Sequence, residues 1–314
     1  HGVAGQVEGL LRFESHLAFE TMNRQLAALG LPPDYVQALD ADGAARLSGL
    51  APTLPAWFFP AGGWVAPADL AAALLARAGS AVELRRQTPV AAIRREGSLW
   101  RLLDADGRVL GESGVVVLAN ACDAASLLAG LAELPLQRIR GQTTTLALAT
   151  PGLRLPRLPV AGNGYVLPPL PGGLALFGAT SQIEDGEPRL RASDQRHNLM
   201  QLLRLTGSAP SVAGDTLTGR VGWRCAAPDR LPLIGGVADI AAIEQGTRFD
   251  QPRFVPRLPG LFVFTALASR GIASAALGAR TLASLISGAP CPLEASLLDA
   301  VDAARFVSRG LRRA

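Results

Sequence analysis

Leu261-Phe262-Val263-Phe264-Thr265-Ala266-Leu267-Ala268-Ser269-Arg270-Gly271-Ile272-Ala273-Ser274 decides how the rest of this chain is read. It opens on an apolar run rich in Phe and Val that is too short for a helix. A turn of small residues follows, and then an Ala/Leu pattern that predicts a helix from Ile272 to Ile286, ended by Gly288. A strand feeding a helix N-terminus leaves unpaired amides and the positive end of the helix dipole at the junction. Small side chains there let a ligand approach the backbone, so an anionic or electron-rich group is a natural occupant. A packing turn of an ordinary α/β protein is the alternative reading.

Upstream of that stretch, Val115 to Leu118 is a continuous apolar strand of the buried, parallel-sheet kind. Leu10 to Glu14 alternates as a strand, and His16 to Leu29 has helical spacing closed by Gly30 before the Pro32-Pro33 break. Asp69 to Ala78 reads as a helix with Pro67 near its start and Gly79 past its end. Short strands are predicted at Val82 to Leu84, Val90 to Arg94, Leu99 to Leu103 and Arg108 to Leu110, with a hairpin turn at Asp104-Ala105-Asp106-Gly107. From Leu134 to Arg220 proline and glycine punctuate short strands at Thr143 to Ala149, Gly164 to Leu167 and Leu174 to Gly178, and one helix runs from Ser193 to Leu205. This texture predicts a second sheet inserted into the first domain.

Composition narrows the chemistry. The 314 residues are 49% hydrophobic, enough for a large core in one domain or two intermingled ones. All 30 basic residues are Arg, which removes Schiff-base, phosphate-binding and general-base lysines. The net charge of +4 permits contact with an RNA backbone without demanding it. Arg305, Arg309, Arg312 and Arg313 form a dense terminal cluster, read either as a solvated helix end or as an RNA contact. Three cysteines, Cys122, Cys225 and Cys291, lack paired spacing, which argues against disulfides and a zinc site and fits a reducing cytosol. No uninterrupted apolar run of membrane length occurs, so a soluble, cytoplasmic protein is expected, without metal. The chain opens on His1 and not on Met, which reads as a piece of a longer protein.

Several blocks recur in one order along nearly the whole chain. They are Phe59 to Leu70 with Gly62-Gly63-Trp64, Val115 to Ala121, Arg140-Gly141-Gln142, Gly164 to Pro168, Phe177 to Thr180, Gly222-Trp223-Arg224 to Gly235, Ser269-Arg270-Gly271, and Asp302 to Phe306. In that order they resemble the C-terminal, FAD-dependent half of the bifunctional enzymes that make 5-methylaminomethyl-(2-thio)uridine at the tRNA wobble position, relatives of glycine and D-amino acid oxidases. Three features depart from the family. Its opening strand-turn-helix with a glycine-rich fingerprint has no counterpart, Ala268 stands where Gly is usual, and the methyltransferase half is absent.

The resemblance implies a mixed α/β fold with an FAD-binding Rossmann-like domain of the D-amino acid oxidase type, lacking its first βαβ unit, and an inserted mixed-sheet substrate domain. The divisions expected are 1–60 and 126–220 on the substrate side, 61–125 and 221–290 for FAD, and 291–314 as a basic tail. It also implies that Gly271, Ile272 and Ala273, with Ser269 and Arg270 in the same turn, hold the pyrimidine edge of the flavin. Gly62, Gly63 and Trp64 correspond to a loop beside the ring, and Val90, Ala119, Asn120 and Ala121 to backbone near the adenosine. Arg224 faces the substrate carboxylate, which a planar guanidinium suits; a salt bridge with Asp229 is the structural alternative. Tyr165 lines the amine pocket, hydrogen-bonds the carboxylate, or packs in the core. In such flavoproteins the substrate carbon gives a hydride to the flavin while the protein positions the reactants.

The activity implied is FAD-dependent removal of the carboxymethyl group from 5-carboxymethylaminomethyl-(2-thio)uridine on tRNA, giving the 5-aminomethyl product and glyoxylate. An S-adenosylmethionine-dependent methyltransferase, fused or separate, would then act on that product. A free glycine or D-amino acid oxidase or dehydrogenase is the first alternative. A non-catalytic remnant that binds RNA or a partner is the second, supported by the missing fingerprint.

Overall fold

A computed structural model of the chain describes residues 2–212, 216–244, 247 and 249–312. It divides into two compact units, the first of residues 1–82, 140–182 and 186–222, the second of 83–139, 183–185 and 223–314. The divisions expected at 60/61 and 125/126 fall inside these units. Trp64–Val65 pairs back onto Gly5–Gln6, which keeps the Pro67–Ala78 helix in the first unit.

The first unit is built on one large mixed sheet. Leu174–Gly178 pairs antiparallel with Gln137–Ala147 on one side and Tyr165–Val166 on the other. Val160–Ala161 follows, then Leu10–Phe13 parallel to it, then Ala56–Phe59 and Gln37–Leu39. Alternation along the strands buries Leu11, Phe13, Val166 and Phe177 against Leu202 and Leu205 of the Ala192–Thr206 helix. Arg140 is fully buried at the start of that helix. Its guanidinium donates to Asp194 Oδ2 at 2.6 Å and to the carbonyls of Glu187 and Arg189 at 2.6 and 2.8 Å. Gln142 finishes the work by donating to Arg191 O and accepting from Arg191 N. The Arg-Gly-Gln block therefore fastens the 187–191 segment.

In the second unit Leu233–Ala238 runs antiparallel to Arg257–Thr265, which lies parallel to Val116–Leu118. Ala92–Glu96, Leu99–Leu103 and Val109–Ser113 form a separate antiparallel meander. The predicted helix is Gly271–Ser287 and stops at Gly288, φ 74°. A Cβ at Gly278 would stand 2.6 Å from the Phe264 ring, so glycine there lets the helix lie close on its strand. The predicted strand at Val82 to Leu84 does not form. Val82 N–H turns back to Gly79 O, and Val82 and Leu84 are exposed. An unpredicted helix, Ala41–Ser48, is capped by Asp40, whose Oδ1 accepts from Gly43 N at 2.7 Å.

The parallel strands Val116–Leu118 and Arg257–Thr265 end side by side, and the backbone beyond them is strained. Ala121, Ala266 and Ala268 have φ of 55°, 58° and 49°, and Arg230 has 60°. Left-handed backbone costs a residue with a Cβ about 1–2 kcal/mol and persists where surrounding bonds impose it. Thr265 Oγ1 donates to Ala121 O at 3.0 Å, and Ala268 N donates to Cys225 O at 2.8 Å. The conformation of Ala268 is one that glycine adopts without this strain.

Two of the four terminal arginines, Arg305 and Arg309, are built into an ion pair with Asp229. Arg305 is buried, and its Nε and Nη2 donate to the two carboxylate oxygens of Asp229 at 2.8 and 2.7 Å. Its remaining donors reach Pro232 O, Asp302 O and Leu231 O. Arg309 also donates to Asp229, and both guanidiniums lie over the Phe306 ring. Arg312 is exposed, and Arg313 lies outside the described residues. Burial would raise the Asp229 carboxyl, but the hydrogen bonds from Arg305 and Arg309 outweigh it and hold the group well below the ordinary carboxylate range.

Two outcomes follow for stability. Asp229→Asn is expected to lose about 3 kcal/mol at pH 7 in urea unfolding, because it strands a buried guanidinium. A carboxyl depressed in the folded state stabilises above its unfolded value, about pH 4, and loses that contribution as pH falls. The wild-type and variant curves should therefore converge in acid; a deficit equal at pH 7 and pH 3 contradicts the assignment. Ala268→Gly should be at least as stable as wild type and Ala268→Val about 2 kcal/mol less stable, since only glycine adopts this φ freely. The reverse order contradicts the strain.

Candidate functional site

In the second unit one end of the sheet gathers most of the expected residues. Ala119, Asn120 and Ala121 leave the end of Val116–Leu118 and are exposed. Ser269 and Arg270 follow the end of Arg257–Thr265 beside them and are exposed too. Ligands of open α/β sheets sit outside such carboxyl ends. The strand that carries Arg224 joins this place through a bridge between Ala226 and Leu267 and the bond from Ala268 N to Cys225 O. Val90 lies elsewhere in the unit, half-buried against its apolar core ahead of the meander.

Gly271, Ile272 and Ala273 open the long helix. Its N-cap, Arg270, gives no side-chain cap, and no acidic residue stands in the first turn. The first ladder bond is Ser274 N to Arg270 O at 2.9 Å, so the three amides before it lie outside the helical ladder. Ile272 is 48% exposed although apolar. Arg270 itself donates to Arg230 O at 3.3 Å, which ties the turn to the loop fixed by Asp229.

Arg224 is half-buried, and among the described residues no hydrogen bond or ion pair reaches its guanidinium. The alternative partner is taken, because Asp229 is held by Arg305 and Arg309. A partly desolvated guanidinium left open is suited to a carboxylate. Cys122 offers no competing nucleophile. Burial, with the Cys225 thiol beside it, pushes its thiol up to about 12, so it stays protonated at neutral pH. Among the described residues no group of three or more His, Cys, Asp or Glu is placed to hold a metal ion, and no helix is long and apolar enough to cross a membrane.

Gly62, Gly63, Trp64 and Tyr165 belong to the first unit. A Cβ on Gly63 would come 1.9 Å from Gln6 O, so this glycine is required by the pairing of Gly5–Gln6 with Trp64–Val65. The crowded side of Gly62 faces Leu10. Trp64 Nε1 is buried and has no hydrogen-bond partner among the described residues, a donor that awaits an acceptor. Tyr165 is half-buried on its strand, paired across to Gly178 and Ala161.

These features fit FAD. The open amides of Gly271 to Ala273 suit an electron-rich ring edge, and the strained turns at Ala121 and Ala266 to Ala268 in the same unit expose backbone. Sequence reasoning missed Thr265, whose hydroxyl links the two strand ends, and it took Arg305 for part of a tail. The Asp302 to Phe306 block was the available signal for Arg305, but its partner lies 76 residues upstream.

Known proteins resemble the chain along nearly its whole length. The chain is 50% identical over 97% of its length to the tRNA 5-methylaminomethyl-2-thiouridine biosynthesis bifunctional protein MnmC of Methylibium petroleiphilum, and 41% identical over 93% to that of Paraburkholderia phytofirmans. It spans about half the length of these curated relatives, 48% and 45%. Among solved structures, glycine oxidase from Geobacillus kaustophilus is similar at a TM-score of 0.73 and 25% identity, over 97% of this chain and 76% of that one. L-Proline dehydrogenase from P. horikoshii shares the fold at a TM-score of 0.74 and 17% identity, over 98% of this chain and 79% of its own. The model of the DAO family, described as FAD dependent oxidoreductase, matches residues 6–285, and with the open helix amides and strained strand ends lying inside that range the chain belongs to this family of flavoenzymes.

Proposed function

We propose that the chain carries out the FAD-dependent oxidation that removes the carboxymethyl group from 5-carboxymethylaminomethyl-(2-thio)uridine at the tRNA wobble position. The observation that carries this reading is Arg224, an open, half-buried guanidinium joined by backbone to the turn before the Gly271–Ser287 helix. The names of the relatives, which concern 5-methylaminomethyl-2-thiouridine in tRNA, supply the substrate class. Their greater length supports a methyltransferase acting next on the aminomethyl product. A reducing, cytoplasmic setting suits a tRNA substrate and three free thiols.

The substrate arm is N–CH2–COO⁻. Loss of a hydride from carbon and a proton from nitrogen gives an imine; water adds to it, the C–N bond breaks, and glyoxylate leaves the primary amine on the base. FAD, when bound, would supply the hydride acceptor. Arg224 holds the carboxylate through two parallel hydrogen bonds and so fixes the carbon that reacts. Gly271, Ile272 and Ala273 would hold the cofactor with their amides and the positive helix end. Oxidation of free glycine or another amino acid is the second reading, favoured by the likeness to glycine oxidase, since one Arg serves both carboxylates.

Arg224→Leu should lower kcat/KM for the modified tRNA about 100-fold, the loss of charged hydrogen bonds worth about 1.5–3 kcal/mol, while the flavin absorption of the protein is kept. Arg224→Lys should recover little, because an ammonium cannot make the paired contact. Kinetics unchanged in Arg224→Leu contradict the role.

A further inference from the structure

The first unit contains a cleft of about 380 Å³ that none of the chemistry above uses. The volume lies at the low end of the range for small-ligand sites. The parallel pairing of Ala161 with Arg12 brings two strand ends together there, so the Gly162-Asn163 turn stands beside Arg12. Gln201 and Arg204, three apart on the Ala192–Thr206 helix, close the opposite wall. Buried Phe13 and Leu205 and the half-exposed Leu54 form an apolar floor. A Cβ at Gly162 would press to 3.0 Å on Leu205, so glycine keeps the floor open.

The charge of the cleft is positive. Arg12 and Arg204 are exposed, and neither guanidinium makes a hydrogen bond or ion pair among the described residues. His16 adds an imidazole. The one carboxylate, Glu14, is already engaged: its oxygens accept from His16 N at 2.8 Å and from Trp57 Nε1 at 3.2 Å. It can offset one guanidinium but leaves the other uncompensated.

Two open guanidiniums, two amide side chains and an apolar floor match one nucleotide with its flanking phosphate. Guanidinium forks take phosphate oxygens, amides read the mixed donor and acceptor edge of a base, and an unstacked base covers apolar surface. An acidic peptide would use the arginines but not the floor and amides together. The hairpin that presents Asn163 continues directly into Tyr165, the residue expected beside the substrate amine. Resting on the tRNA reading above, we infer that the cleft formed by Arg12, Asn163, Gln201 and Arg204 holds an unpaired nucleotide of the RNA substrate.

The test measures binding of an anticodon stem-loop RNA to the purified chain by fluorescence anisotropy at several salt concentrations. Arg12→Ala and Arg204→Ala should each weaken binding several-fold and reduce the slope of log affinity against log salt by about 0.7 for each phosphate no longer neutralised. Asn163→Ala should weaken binding without changing that slope. Glycine oxidation, if the protein supports it, should keep its kcat and KM in all three. Arg204→Glu, on an exposed helix face, secures the result should Arg12→Ala unfold. Unchanged affinity and slope in Arg12→Ala and Arg204→Glu, with modified tRNA still oxidised, overturn the cleft and leave the proposed activity standing. A wild-type chain that binds no RNA and oxidises no tRNA overturns both. Binding of free uridine monophosphate with no variant effect on RNA also overturns the subsite.

Discussion

Asp229 between Arg305 and Arg309 organises the second unit. Burying a charged pair is costly unless every donor finds an acceptor, and here each of the three nitrogens of the Arg305 guanidinium does, on Asp229 or on the carbonyls of Leu231, Pro232 and Asp302. The result is a loop from Ala227 to Pro232 that cannot drift. Arg230 within it takes a left-handed backbone, and its carbonyl accepts from Arg270 at the helix start. The terminal helix thus acts at long range on the turn that presents the Gly271 to Ala273 amides, though it shares no local pattern with it. Asp302, whose carboxyl is raised by burial and partly restored by Arg257, adds a second anchor at the same helix.

The first unit relies on a comparable device with a different purpose. Arg140, Gln142 and Asp194 fasten a segment with little regular structure of its own against the start of the Ala192–Thr206 helix. That leaves the sheet strands free to present short hairpins, among them the turn at Gly162 to Tyr165. Each unit therefore uses buried arginine to make an irregular segment as fixed as a strand, which suits a chain whose basic residues are all Arg.

Much of this was legible from local pattern. The apolar run at Leu261, the glycine stops at Gly30 and Gly288, and Pro67 at a helix start each act within a few residues, and the structure has them. The resemblance named Ala119 to Ala121, Arg224 and Ser269 to Ala273 as site residues, and the structure brings them toward one end of a sheet. What local pattern could not supply was pairing at long range. Val82 to Leu84 has strand composition but no strand to join, and Asp229 looked like a partner for Arg224 until Arg305 was seen to claim it. The left-handed turns at Ala121, Ala266 and Ala268 were equally hidden, because alanine does not announce that conformation; only the usual glycine at the Ala268 position hinted at it.

On the proposed function, the amine that is oxidised belongs to a tRNA base. The most direct measurement is glyoxylate release by the FAD-bearing protein from tRNA carrying 5-carboxymethylaminomethyluridine, set beside oxidation of free glycine, sarcosine and D-alanine at equal concentration. Rapid glyoxylate from tRNA with slow or absent turnover of the free amino acids is the result expected. Turnover of a free amino acid with none on tRNA would contradict the account.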